Sequence, residues 1–422
     1  MSSILGEAPG EYASSWISLN RSQGHWTSET FGDYLRIHAS KRPTQLAVVD
    51  NGEAISWADL LNEVERVSAG LAGLGIGHGD AVAVQLVNSI ELAVSILAIW
   101  ELGAIYQPLN PVYRKAECTA LIGAVEPEAV IASNKTEEFD HPGLLDEVIA
   151  DLDISLHKVI VGSERTNWTS FQDLNGPTPK FSRDSLDPAI FGTTSGTTGT
   201  PKVYIHIQAT QIFEAKILSE GLELGPEDVM LAAAPITHRG ALMVGLMTSL
   251  ISGSRLVMGD GRNITALAEI IEQQNVTSFM GIPTIVSDLL HHHQNVDFDA
   301  TSLRVVIASG APVTDDLLKR FQAQWPNAVV ATGYGLSETG WCTYLRIGDP
   351  CRENLHVGST RTGHRNRDPR PTRDSAPTAR HWGSSHQRTD DVCRIFEQRS
   401  SHPTSPRRQR MVRQRRSGLP RR

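Results

Sequence analysis

The feature that most constrains the fold is a repeated alternation of helical periodicity and short apolar runs, from about Ser56 to about residue 340. Residues 57–74 carry apolar side chains at helical spacing and are followed by Gly75, a common helix-terminating residue. Residues 81–86 form an uncharged apolar run, typical of a strand buried on both faces. Repeated strand, helix and strand units predict a large α/β body in which helices cover both faces of the sheets.

The same criteria predict further elements along this region. Helices are expected near residues 89–102, 208–220, 264–274 and 313–324. Strands are expected near residues 129–132, 157–161, 187–193, 229–234, 254–258, 276–280, 304–308 and 328–332.

The most specific motif follows the strand expected at residues 187–193. It consists of Thr194, Ser195, Gly196, Thr197, Thr198, Gly199, Thr200, Pro201 and Lys202. Five hydroxyl side chains, two glycines and one lysine suit an oligophosphate, because backbone N–H groups approach the oxygens closely, hydroxyls donate and the lysine supplies charge. A nucleoside triphosphate is the predicted ligand, and a solvated turn is the alternative. Pro201 before Lys202 and Val203 after it exclude a Walker-type motif.

Three segments resemble motifs of the adenylate-forming enzymes, a family that includes acyl-CoA synthetases, aryl-CoA ligases, luciferases and peptide-synthetase adenylation domains. Residues 194–202 fit the family's Thr-Ser-Gly-Ser/Thr-Thr-Gly-x-Pro-Lys-Gly phosphate loop, with Val203 in place of the last glycine. Residues 331–338 resemble its Tyr-Gly-x-Thr-Glu motif, and residues 309–312 resemble its Gly-Gly-Ala-Pro turn. The resemblance covers about residues 30–360.

The resemblance implies ATP, Mg²⁺ and coenzyme A as the ligands. A carboxylate would attack the α-phosphorus of ATP to give acyl-AMP and pyrophosphate, and the acyl group would then pass to a thiol. Lys202 and the loop hydroxyls, Thr198 among them, would hold the pyrophosphate, and Glu338 would ligate Mg²⁺, which prefers carboxylate and phosphate oxygen. The residues that would hold AMP are Gly310, Ala311, Pro312, Gly333, Tyr334, Gly335 and Ser337.

The acid-binding segment is expected around His238. Residues 234–243 resemble the family segment in which a histidine or aromatic residue gates the carboxylate, in a form most similar to medium-chain and cyclic acyl-CoA ligases. His238 would orient the carboxylate or cap a helix. Residues 110–117 resemble another acyl-CoA ligase segment, and residues 281–285 would line the acyl cavity or, by preference, belong to the core. Consecutive histidines at positions 291–293 diverge around a helix, so a solvated helix end is favoured over a metal site.

Charge divides the chain near residue 360. The net charge of the whole chain is −8, whereas residues 361–422 hold 17 arginines, no lysine and 5 acidic residues, leaving −20 on residues 1–360. An acidic body of this kind argues against nucleic-acid binding. We therefore expect an N-terminal extension over residues 1–29, an incomplete adenylation domain over residues 30–360, and a tail over residues 361–422 whose composition predicts disorder.

The composition of the tail also suggests a hypothesis about the gene that encodes it. No Gly-Asp-Leu, the form of the family's ribose-binding motif, follows Glu338. The family's small C-terminal domain with an adenylation lysine is not found either, and Lys319 is the last lysine. Read one nucleotide out of frame, with permitted codons, residues 382–420 can encode strings similar to that missing core. Residues 361–422 would then be a frameshift product, and a nucleotide sequence whose shifted frame lacks those strings would refute the idea.

No secretory signal begins the sequence, the longest uncharged apolar stretch is residues 240–254, and the four cysteines show no C-x-x-C spacing. These features predict a cytoplasmic or peroxisomal-type protein without a transmembrane segment. The predicted function is an ATP-dependent ligase joining CoA to a medium-chain, cyclic or aromatic acid, impaired by truncation. The alternatives are a non-catalytic nucleotide-binding protein with a basic arm, and an adenylation module that serves a carrier-protein thiol.

Overall fold

The computed structural model describes residues 12–134, 139–177, 183–194, 202–344 and 347, all within one compact unit, Met1–Asp368. Two groups of predicted residues lie outside these ranges: the central part of the glycine-rich motif, residues 195–201, and the arginine-rich residues 361–422. Predictions that concern those residues stay predictions.

Two sheets are built from the strands β1 (Leu46–Asp50), β2 (Glu53–Ser56), β3 (Ala81–Gln85), β4 (Ile105–Pro108), β5 (Ala129–Ser133), β6 (His157–Val161), β7 (Thr169–Ser170), β8 (Pro188–Thr194), β9 (Lys202–Ile207), β10 (Val229–Ala232), β11 (Arg255–Met258), β12 (Ser278–Gly281), β13 (Val305–Ala308), β14 (Val329–Leu336) and β15 (Gly340–Tyr344).

The helices of the described residues are α1 (Ser14–Ser22), α2 (Phe31–Lys41), α3 (Trp57–Gly73), α4 (Ile90–Glu101), α5 (Lys115–Val125), α6 (His141–Asp151), α7 (Gln208–Gly221), α8 (Arg239–Leu242), α9 (Thr248–Ser252), α10 (Ile264–Gln274), α11 (Pro283–His293) and α12 (Asp315–Gln324), with a π-helical turn, Met243–Met247, between α8 and α9.

One sheet has eight strands in the order β15-β14-β13-β12-β10-β11-β1-β2, and the other has seven in the order β7-β6-β5-β3-β4-β8-β9. Both are parallel in their centres. Antiparallel pairing occurs only at three edge pairs of these described strands, namely β1 with β2, β14 with β15, and β8 with β9. Two of these edge pairs, β8–β9 and β14–β15, carry predicted ligand-binding segments.

Alternate residues of the central strands point into different cores. In β3, Val82 and Val84 belong to a large cluster that also contains residues of α2, α3, α4 and α7, whereas Ala83 packs with α5 and α6. In β10, Met230 joins the same large cluster and Leu231 packs with α10, α11 and α12. Helices therefore cover both faces of each sheet, which confirms the predicted α/β class and explains the uninterrupted apolar strands.

Most predicted elements are present with ends shifted by a few residues. The helix predicted at residues 57–74 is α3, which ends at Gly73, and the strand predicted at residues 81–86 is β3. Ser56 caps α3 by accepting a hydrogen bond from the Asp59 amide, which explains why the helix starts at Trp57. No helix within the described residues is long and apolar enough to span a bilayer.

Two segments of the sequence, one apolar and one rich in histidine, are buried to a different degree than expected. Residues 281–285 are only partly core, since Ile285 is 8% exposed but Ile282 is 42% exposed. The three consecutive histidines form the last turn of α11. His293 packs on Phe298 and Trp325, so this helix end is less solvated than expected.

Candidate active site

The antiparallel pair β8–β9 frames the glycine-rich motif. Thr194 is the last residue of β8 and lies opposite Lys202, the first residue of β9. The sequence predicted the strand before the motif but not the one after it. Because Ser195, Gly196, Thr197, Thr198, Gly199, Thr200 and Pro201 lie outside the described residues, their contacts with phosphate remain a prediction.

Gly192 is required at this strand pair because a large side chain covers it. It lies directly opposite Tyr204, and a Cβ atom at position 192 would be 1.8 Å from Cζ of that ring. The Tyr204 ring is 6% exposed and packs edge-on against His206. Burial, with a smaller opposing contribution from Arg239 and the Ser337 side chain, raises the pKa of Tyr204 to about 12, so its hydroxyl stays protonated at neutral pH.

The Tyr-Gly-Leu-Ser-Glu segment forms the hairpin between β14 and β15. Gly335 lies opposite Trp341, where the register shifts, and a Cβ at Gly335 would be 2.3 Å from the Gly340 carbonyl oxygen. Only glycine allows this close approach. Tyr334 is 49% exposed, so its ring is available to a ligand. Ser337 and Glu338 occupy the connection between the two strands.

The Ser-Gly-Ala-Pro segment lies beside this hairpin. It follows β13, which is parallel to β14, and Ser309 Oγ donates a hydrogen bond of 3.0 Å to the Gly333 carbonyl. Gly310 has φ +86°, a left-handed conformation that favours glycine. Gly310, Ala311 and Pro312 are all exposed. The two predicted adenine-side segments therefore meet at the carboxyl ends of parallel strands, where α/β sheets commonly bind ligands.

The side chain of His238 lines a cleft. His238 is the N-cap residue of α8, but among the described residues its side chain makes no capping hydrogen bond. Its Nε2 is 2.8 Å from Asn110 Nδ2, so in the Nδ1–H tautomer it accepts a hydrogen bond from the amide. Burial lowers the pKa of His238, which favours this neutral form.

One cleft brings part of the predicted site together. It has a volume of about 450 Å³ including its open mouth, and it is lined by Pro108, Asn110, Tyr113, Ile190, Gly192, Tyr204, Thr237, His238, Arg239, Leu242 and Ser337. His238 and Ser337, predicted to serve the acid and the α-phosphate, share this lining. Glu338 and residues 310–312 do not line it.

Several lining residues were missed by the sequence reasoning. Tyr204 follows Lys202 at strand spacing, and the period of two residues would have placed Tyr204 and His206 on one face. Thr237 is 7% exposed and lines the cleft. Its buried hydroxyl has no hydrogen-bond partner among the residues that the structure describes. Nothing in the local sequence marks that hydroxyl, because its environment is created by the strands packed around it.

A hard divalent cation would find few protein ligands here. Among the residues that the structure describes, no group of three or more His, Cys, Asp or Glu side chains is placed to hold a metal ion. Glu338 offers a carboxylate at the hairpin connection. This arrangement fits Mg²⁺, which is commonly held by one or two carboxylates together with substrate phosphates.

Such a fold is that of adenylate-forming enzymes. The sequence matches the AMP-binding enzyme family over residues 35–366, and the chain therefore belongs to that family.

Known proteins resemble this chain along most of its length. It is 29% identical to the 2,3-dihydroxybenzoate-AMP ligase of Bacillus subtilis over 332 residues, covering 78% of this chain and 61% of the relative. It is 29% identical to 4-coumarate–CoA ligase 5 of Oryza sativa subsp. japonica over 322 residues, covering 73% of this chain and 57% of the relative. The apo structure of MbtA from Mycobacterium smegmatis matches with a TM-score of 0.73 and 26% identity, covering 81% of this chain and 63% of that chain. The chain thus spans about three fifths of the length of these relatives.

Proposed function

We propose that this chain performs ATP-dependent activation of a small carboxylic acid to an acyl-AMP, followed by transfer to a thiol. The observation that carries the proposal is the shared cleft: His238 of the acid-binding segment and Ser337 of the AMP-binding segment line one opening. The strand β9, which begins at Lys202, forms its wall through Tyr204. Three segments that are far apart in sequence thus supply one surface.

The reaction requires the protein to position the two substrates and to neutralise negative charge. A carboxylate is already a nucleophile and needs no general base, so the neutral His238 is suited to orient the acid by hydrogen bonding. In the proposal, Ser337 donates to the α-phosphate, and Lys202 with the loop hydroxyls, including Thr198, neutralises the leaving pyrophosphate. Mg²⁺ on Glu338, when bound, would supply further neutralisation of phosphate charge.

The cleft combines apolar and polar lining residues. Its apolar lining, Pro108, Ile190 and Leu242, would contact the hydrocarbon part of the acid. Thr237 and Asn110 add buried polar groups to the same wall. We propose a medium-chain, cyclic or aromatic acid.

The thiol acceptor is the least constrained part of the proposal. The names of the relatives include both an AMP ligase and a CoA ligase. We propose coenzyme A as the acceptor, because residues 110–117 and 234–243 resemble acyl-CoA ligases. A carrier-protein thiol is the alternative, and it would differ only in the second half-reaction.

The test is acid-dependent exchange of labelled pyrophosphate into ATP by the purified 422-residue chain. Medium-chain, cyclic and aromatic acids form the panel, and calorimetric titration with ATP is run in parallel. We expect ATP binding and acid-dependent exchange with a subset of the acids. Absence of both ATP binding and exchange would refute the proposed function.

A further inference from the structure

A buried ion pair adjoins the cleft, and Arg239, one of its two members, also lines it. The Arg239 and Glu214 side chains are only 6% and 2% exposed, and the Arg239 guanidinium donates to both Glu214 carboxylate oxygens. It also donates to Gln211 Oε1 at 3.1 Å, and its Nε donates toward His206 Nε2 at 3.0 Å. Arg239 directly follows His238, whereas Glu214 and Gln211 belong to α7. The ion pair therefore joins the acid-binding segment to a central helix.

The same ion pair supports the hairpin that carries Ser337. Glu214 Oε1 accepts a hydrogen bond of 2.8 Å from the Trp341 amide in β15. Gly340 has φ +82°, and a Cβ there would lie 2.6 Å from Glu214 Oε2 and 2.8 Å from Arg239 Nη2. The backbone of the hairpin thus rests directly on the two charged groups, and only glycine fits at the contact.

His206 provides a second connection to the hairpin. Its Nε2 is 2.8 Å from the Ser337 carbonyl oxygen as well as 3.0 Å from Arg239 Nε. A neutral imidazole nitrogen is either a donor or an acceptor, so one tautomer bonds to Arg239 and the other to Ser337. In either tautomer the three groups stay in contact. The backbone of Ser337 is therefore held between β9 and the ion pair.

Stability alone is a weak reason for such an arrangement. Removing two charges from water costs free energy that their attraction often fails to repay, and apolar replacements of similar size are frequently neutral or stabilising. What the charged pair provides, and apolar residues cannot, is a fixed acceptor for the Trp341 amide. We propose that Arg239 and Glu214 are positioning residues that hold the β14–β15 hairpin on α7 and so fix Ser337 in the cleft. The consequence of this positioning for catalysis rests on the proposed function.

The first test measures amide hydrogen exchange in the β14–β15 hairpin and does not depend on enzymatic activity. In the double variant Arg239→Met/Glu214→Leu, we expect amide hydrogen exchange in residues 333–344 to accelerate by about tenfold or more, because the Trp341 amide loses its acceptor. The free energy of unfolding should change little. The matched control is Arg304→Met/Asp228→Leu, which removes a second ion pair, 3.0 Å long, away from the hairpin. Its residues 333–344 should exchange as in the unchanged protein.

A second variant keeps the test decisive if the double variant does not fold. Glu214→Gln retains an oxygen acceptor for Trp341 but loses the charge, so we expect a smaller acceleration, about threefold, confined to residues 333–344. Unchanged exchange in the hairpin of every folded variant would overturn the inference. Equal acceleration in the control pair would also overturn it.

The catalytic readout separates this inference from the proposed function. If the unchanged chain shows acid-dependent exchange, kcat in the double variant should fall by about tenfold or more while KM for ATP stays within about threefold, because a misplaced Ser337 affects the reacting centre. A fall in activity that merely follows lost stability would contradict the inference. If the unchanged chain shows no exchange, the proposed function fails, and hydrogen exchange alone decides whether Arg239 and Glu214 hold the hairpin.

Discussion

Gly192 and Tyr204 face each other across the strand pair β8–β9, and the phenol ring occupies the space that any side chain at position 192 would need. Tyr204 in turn lines the cleft beside Ser337. The absence of a side chain at one position of β8 therefore shapes the cleft through its neighbour on β9.

Gly192→Ala should displace the Tyr204 ring. The new Cβ would be 1.8 Å from Cζ, a distance that requires the ring or the strand to move. We expect a loss of about 1–3 kcal/mol in the free energy of unfolding, as for other overpacked cores. Urea denaturation measures it. Gly225→Ala is the control, because no heavy atom lies within 4 Å of its new Cβ. Equal effects of the two substitutions would refute the steric explanation.

Asn88→Ala should loosen the segment that presents His238. Asn88 Nδ2 is 3.0 Å from the carbonyl oxygens of Ala232, Ala234 and Gly259, and its Oδ1 accepts a hydrogen bond from the Ile236 amide. Truncation leaves several of these backbone groups without a partner, at a cost of about 2–3 kcal/mol.

Thermal or urea unfolding checks this loss, and hydrogen exchange of residues 232–238 checks its location. Asn175→Ala is a suitable control, since Asn175 is exposed and bonds only locally to the Asp173 carbonyl. If Asn88→Ala and Asn175→Ala are equally stable, the anchoring role of Asn88 is wrong.

Lys202→Ala should weaken ATP binding. A lysine that neutralises phosphate contributes a charge-assisted interaction worth about 1.5–3 kcal/mol, so we expect the Kd for ATP to rise by about tenfold or more. Calorimetric titration measures it. Lys319→Ala removes an exposed lysine on α12 and should leave Kd unchanged. An unaltered Kd for Lys202→Ala would count against the phosphate-binding role of residues 194–202.

The sequence predicted those parts of the molecule that depend on local patterns. Strand β3 was found because burial on both faces produces an uninterrupted apolar run. Helix α3 was found from its periodicity and the following glycine. The glycine-rich motif at residues 194–202 was recognised because backbone approach to phosphate favours small residues. The motifs at residues 309–312 and 331–338 were recognised by their resemblance to family segments.

The network of Arg239, Glu214 and Trp341 beside the cleft could not be predicted in this way. Glu214 and Trp341 are 127 residues apart in the chain, and Glu214 and Arg239 are 25 apart. A charged residue in a helix ordinarily indicates a solvated face. Only the packing of β15 and α8 against α7 makes the carboxylate of Glu214 a buried acceptor. Strand β9 was missed for a related reason, since its existence depends on pairing with β8 across the glycine-rich motif.

His206 should make the protein sensitive to acid. Burial, reinforced by the charge of Arg239, lowers the pKa of His206 to about 3 in the folded protein, whereas an unfolded histidine has a pKa near 6.5. Between these two values the unfolded chain binds a proton that the folded chain does not. Stability is therefore lost as the pH falls below about 6.5, by up to about 1.4 kcal/mol per pH unit for this one group.

His206→Asn removes this proton linkage while keeping a neutral polar side chain. We expect the variant to lose less stability than the unchanged protein between pH 6.5 and pH 4. Burial also lowers the pKa values of His38, His141 and His238, but these histidines contribute equally to the decline curves of both proteins. Urea denaturation at several pH values gives the slopes, and His157→Asn, an exposed position, is the control. A neutral histidine held beside Arg239 in the folded protein should take up a proton when unfolding exposes it to water below pH 6.5. Parallel decline curves for His206→Asn and the unchanged protein would show that His206 does not do so and would contradict this prediction.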